Sequence, residues 1–125
     1  MKPLAFLIPA ALGAAFAAQA QEHIEAVLNE VSSMPGANLT YTERRDDDHR
    51  LYRSVTVLTM ADNEVYSRFR QAFHQDRELT YLAIMGQNSS NFRFRDDSGQ
   101  SLYSLTYDPE KGSFTFFKQW VRDDD

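Results

Sequence analysis

Cysteine is absent from all 125 residues. That excludes a disulfide framework and thiolate metal sites, and with them the acylated cysteine of a bacterial lipoprotein. Glycine is sparse at five residues. Those five build no phosphate-cradling loop, no dinucleotide fingerprint and no Gly-x-Ser-x-Gly nucleophile elbow. Positive charge is the minority: 13 Lys and Arg stand against 18 Asp and Glu, a formal net charge of −5. An acidic balance favours solubility and argues against a nucleic-acid or anionic-membrane surface. No cofactor is implied, and no Ser–His–acid set has the spacing from which a catalytic residue would be assigned.

What is present begins with an export address. Lys2 gives a short positive start, Leu4-Ala5-Phe6-Leu7-Ile8 opens an apolar run through Phe16, and Ala18-Gln19-Ala20 has the small-x-small pattern of a signal-peptidase site. The run is too short, and too rich in Ala and Gly, for a membrane span. Residues 1–20 are therefore read as a cleaved signal peptide and 21–125 as a single α+β domain, periplasmic or secreted, with no membrane anchor after cleavage. Lys2 is the leader's one charged side chain, so cleavage takes the net charge from −5 to −6. The acidic end, 123–125, is expected to fray.

Ile24, Val27, Leu28 and Val31 follow the spacing of one helical face, and Met34-Pro35-Gly36 stops that helix. Two β-prone runs follow, Leu39–Thr42 and Leu51–Thr59. Asp62 or Asn63 then caps a helix with Val65, Phe69, Ala72 and Phe73 on one stripe. Four further strands are expected at 79–85, 92–95, 102–107 and 114–121. Turn signals separate them, and the connections are too short for parallel crossovers. The order α-β-β-α-β-β-β-β predicts a two-layer α+β sandwich, an antiparallel sheet with two helices on one face. A cone-shaped pocket fold on a long curved sheet is the alternative architecture.

Arg44-Arg45-Asp46-Asp47-Asp48-His49-Arg50 has the composition of a metal site, with Asp46, Asp48 and His49 as its candidate ligands. Three consecutive carboxylates cannot all converge, whereas calcium loops space theirs two apart and add a glycine and a downstream glutamate. Zinc would want more nitrogen donors. The segment reads as a solvated hairpin turn, with no metal assigned. His74, near Glu78 and Asp76, reads as a helix C-terminal residue complementing the helix dipole.

Aromatic residues are concentrated in the last three strands. By strand parity Phe114, Phe116 and Trp120 share one face and Phe117 points to the other, while Phe92 and Phe94 oppose Arg93 and Arg95. A sheet with helices on one side leaves its other face partly wet. Large side chains there would form a patch suited to a partner. The candidate binding residues are Phe117, Arg93 and Arg95, with Trp120 as a further member.

With its leader, Tyr52-Arg53-Ser54-Val55-Thr56-Val57-Leu58, Phe73-His74-Gln75-Asp76 and Tyr107-Asp108-Pro109-Glu110-Lys111-Gly112, the chain resembles small exported domains of unknown function from Gram-negative bacteria. Its helix–strand–strand order is similar to that of β-lactamase-inhibitor-like and PepSY-like domains. The resemblance implies a module that binds or inhibits proteins rather than a catalyst. No functional residue carries over, since the cysteines that brace some inhibitor domains are missing. The leading expectation is a non-catalytic exported module binding a protein or envelope component through an open aromatic and Arg sheet face. The alternative is a small-ligand pocket protein or enzyme with a cavity between sheet and helix. The oligomeric state stays open at this stage.

Overall fold

The computed structural model describes residues 22–76 and 89–123. The leader at 1–20, the strand expected at 79–85 and the last two residues lie outside them. Among the described residues seven elements run in the order α1 (Glu22–Val31), β1 (Asn38–Arg45), β2 (Leu51–Met60), α2 (Asn63–Asp76), β3 (Ser89–Arg95), β4 (Gly99–Asp108) and β5 (Ser113–Arg122). The five strands form one antiparallel sheet in the spatial order β1-β2-β5-β4-β3. This is the expected α+β sandwich, and the sheet does not close. No helix among the described residues is long and apolar enough to cross a membrane.

The helices form as their apolar spacing requires. On α1 the stripe Ile24, Leu28 and Val31 is buried, and on α2 Val65, Phe69, Ala72 and Phe73. Asp62 caps α2, its Oδ1 accepting from the N–H of Glu64 at 3.0 Å and of Val65 at 3.1 Å. Both stripes meet one sheet face, where Leu58, Met60, Phe92, Tyr103, Leu105, Phe114 and Phe116 complete the core. Phe69 stacks on Phe116 with centroids 4.8 Å apart, Phe73 meets Phe116 edge-on at 6.4 Å, and Tyr103 lies 6.3 Å from the same ring. Such offset and edge contacts add to the area buried.

A buried carboxylate ties the two helices together. Asp76, the last residue of α2, accepts from the N–H of Ile24 at 2.8 Å and of His23 at 3.1 Å, and His23 Nδ1 lies 2.7 Å from its Oδ1. It therefore caps α1 from 52 residues away, satisfying N–H groups that a helix start leaves open. Burial pushes the Asp76 carboxyl up, against the opposing hydrogen bonds from Ile24 and His23. A second tie is Glu25, whose Oε2 accepts from Tyr103 Oη at 2.7 Å and from Lys118 Nζ at 2.5 Å. Burial chiefly, and then the Glu25 charge, raise the Tyr103 pKa far above the ordinary phenol value. Tyr103 therefore stays a neutral donor at the base of the helix layer.

Element ends differ from the sequence expectation in one informative way. Strand β1 continues through Glu43, Arg44 and Arg45, which read as loop by their charge. An edge strand exposed along all eight residues has no buried face to exclude them.

Candidate partner-binding face

The register of the sheet sorts its side chains into two sets. The face opposite the helices carries four complete rungs. They are Arg44-Arg53-Val121-Gln100-Arg95, Thr42-Val55-Gln119-Leu102-Arg93, Thr40-Val57-Phe117-Ser104-Asn91 and Asn38-Thr59-Thr115-Thr106-Ser89. Val55, Val57, Leu102 and Phe117 form a half-buried apolar centre, and Val121 at the adjoining rung is exposed. Four arginines gather at one end of this centre, while Ser, Thr and Asn fill the other. No Asp or Glu occupies any of the four rungs.

Candidate residues Phe117, Arg93 and Arg95 share this open face, with Arg93 one rung from Phe117 and Arg95 two. Trp120 is on the other side. Its rung partners are Ser54 and Ser101 on the helix side, and its indole packs over Gly99. A Cβ on Gly99 would fall 2.9 Å from the indole and 2.3 Å from the Val121 carbonyl oxygen. The glycine is thus the seat of the tryptophan, and a side chain at 99 would lift it.

Arg44 and Arg53 are direct cross-strand neighbours. Parity within β5 could not bring these two into the candidate set, because only the β1–β2 register sets them side by side. Arg53 donates to Gln119 Oε1 at 3.3 Å, and Arg95 is held at the corner by Asp123 Oδ1 at 3.1 Å. Arg44 and Arg93 have no hydrogen-bond or ionic partner among the described residues. A shallow concavity of about 320 Å3 lies beside Arg44 and Arg53, with Thr42, Glu43, Ser54 and Val55 in its wall.

The acidic segments are turns. Asp46 Oδ1 accepts from the N–H groups of Asp48 and Arg50, each at 2.9 Å, and its Oδ2 from Arg122 at 3.1 Å. The Arg50 N–H is the main cause holding the Asp46 carboxyl below its usual range. His49 closes the turn with a left-handed φ of 66°. Asp96 repeats the device, its Oδ1 accepting from Ser98 N and Oγ at 2.8 Å and from Gly99 N at 2.9 Å. Asp46, Asp48 and His49 belong to no convergent metal-ligand group, and none exists among the described residues.

Other concavities among the described residues open outward. One of about 270 Å3 lies along the outer seam of α1 and α2, between Val27 and Gln71. Another of about 450 Å3 lies at the sheet end near Trp120 and Arg50. Among the described residues the fold is a two-layer sandwich with helices on one sheet face and none on the other. Comparison with protein-family models, curated proteins and solved structures finds no match.

Proposed function

We propose that the chain is a non-catalytic exported module that binds a protein or envelope component through its open sheet face. Phe117, Val57 and Leu102 supply the apolar centre, and Arg44, Arg53, Arg93 and Arg95 the charged border. One observation carries this reading: a chain of net charge −5 gathers four arginines and no carboxylate on the rungs of one face. Like charges directly opposite on neighbouring strands are unfavourable, so the Arg44–Arg53 pair is relieved when an anionic group docks between them. Arginine also serves protein interfaces well through its planar fork of donors. The partner is therefore acidic where it meets this end of the sheet.

The test is retention of envelope components by three forms of the protein. These are the parent, the Phe117→Ala, Arg93→Ala double variant, and Gln75→Ala on the outer side of α2 as a control. Thermal unfolding verifies that each is folded. The expected result is a component held by parent and control, released by the double variant and eluted by moderate salt. Equal retention by all three, or by none, overturns the reading and turns attention to small-ligand screening.

A further inference from the structure

The concavity of about 320 Å3 opens where Arg44 of β1 and Arg53 of β2 stand opposite each other. Its size is at the lower end of small-ligand sites, about 300–1,000 Å3. Residues in direct cross-strand register hold their Cβ atoms about 4.5–5.5 Å apart, so two guanidiniums rise from nearly one point. Thr42 and Val55, the next rung of the same face, form the adjoining wall. Arg53 donates to Gln119 Oε1 at 3.3 Å, and Gln119 belongs to that same rung, which leans the guanidinium toward it. Arg44 has no hydrogen-bond or ionic partner among the described residues. Glu43 is the one carboxylate among the residues of the wall. By strand alternation its side chain belongs to the opposite face. There it accepts from Tyr41 Oη at 2.9 Å and from Arg45 Nε at 2.7 Å.

We propose that the Arg44–Arg53 pair and its concavity form a binding site for a phosphate monoester. Charge and shape together select this class. A carboxylate brings one negative charge and two oxygens, and a single arginine fork satisfies both. The second guanidinium beside it then stays uncompensated. A phosphate monoester carries a charge of about −1.5 to −2 and three terminal oxygens. It bridges both forks, offsets both charges and keeps an oxygen for the Thr42 hydroxyl on the same face. A sulfate monoester has the same shape with a single charge, so it leaves one guanidinium unmatched as a carboxylate does. Val55, and beyond it Val57 and Phe117, continue the face as a half-buried apolar floor for the organic part of the ester. The inference rests on the open face being the binding face, and it names the acidic group received at the charged end.

The test titrates methyl phosphate into the protein purified from its complete reading frame, above the second phosphate pKa of about 6. Binding is followed by NMR at the Nε–H signals of Arg44 and Arg53. Methyl phosphate is expected to bind with a Kd of about 1 mM or below, and methyl sulfate and acetate about tenfold or more weakly at matched ionic strength. Arg44→Gln and Arg53→Gln each weaken methyl phosphate by about tenfold or more. Arg70→Gln removes the same charge from α2, on the other side of the sheet, and leaves binding unchanged. Thermal unfolding verifies that every variant is folded. Glycerol 3-phosphate in solution, and phosphatidylcholine vesicles with and without phosphatidate, distinguish a free ester from a lipid head group. Binding of either that is lost in Arg44→Gln supports the site. No shift with methyl phosphate, acetate binding as tightly, or an equal loss in Arg70→Gln each overturns the inference. An envelope component retained by the open face without methyl phosphate binding overturns the phosphate assignment alone. Methyl phosphate bound at both arginines by a protein that retains no such component upholds the site while the module reading fails.

Discussion

Phe116 and Phe117 are adjacent in sequence and identical in chemistry, yet they belong to two different surfaces. Phe116 is fully buried among Phe69, Phe73 and Tyr103. Phe117 is half-buried on the far side, between Val57 of β2 and Ser104 of β4. One face of the sheet is closed by two helices and filled by rings, while the other ends in threonines, valines and arginines. A side chain's role here follows from strand parity and from what covers that parity, and the residue type alone decides neither.

The comparison breaks most violently at Phe116. Phe116→Ala is expected to cost about 3–5 kcal/mol, the range for emptying a packed aromatic site, read as a fall in urea midpoint. Next comes the helix layer's own fastening. Asp76→Ala leaves the Ile24 and His23 N–H groups without their acceptor and is expected to cost about 1–3 kcal/mol. Its pH signature has a definite sign. The folded Asp76 carboxyl sits above the ordinary value, so the unfolded chain ionises first as pH rises. The group's contribution is whole below about pH 3.9 and is lost as pH climbs through the folded value. Asp76→Asn therefore flattens that portion of the Tm–pH curve.

Gly99→Ala is expected to cost about 1–3 kcal/mol through overpacking, and to change the fluorescence of the single Trp120 as the indole is displaced. On the open face the effects on stability shrink. Phe117→Ala is expected to cost about 1 kcal/mol or less while abolishing partner retention. A loss comparable to that of Phe116→Ala would show that the two faces are equally structural. Arg53→Glu is the smallest and most diagnostic change. Facing Arg44, the new carboxylate is expected to raise stability by a few tenths of a kcal/mol and to weaken retention. Stability and binding moving in opposite directions would mark the face as kept for a partner.

Much of the two-layer plan was legible in single stretches. The stripe Val65, Phe69, Phe73 and the alternation Phe114-Thr115-Phe116 state their periods openly, and parity put Phe117 with Arg93 and Arg95 against Phe92 and Phe94. The same parity puts Trp120 with Phe114, on the side away from Phe117. The contact with Gly99 that explains it is a neighbour-strand relation which parity does not contain. Arg44 and Arg53 were invisible as a pair for a similar reason, since one sat in a run that read as turn. Asp76 was hidden differently. Its carboxylate serves a helix 52 residues earlier, and no local spacing marks an acceptor for backbone groups so far away.

The strand order has a consequence in time. The sheet's central pairing joins β2, which ends at Met60, to β5, which begins at Ser113. Until β5 arrives, β2 has the hairpin partner β1 on one edge and nothing on the other, and Phe69 has neither Phe114 nor Phe116 to rest on. Non-local pairing of this kind makes folding slow and leaves sticky edges exposed meanwhile. Of the five described strands, the one latest in the chain is thus the one that closes the middle of the sheet. A chain cut short before Ser113 keeps both its hairpins and lacks the strand that joins them.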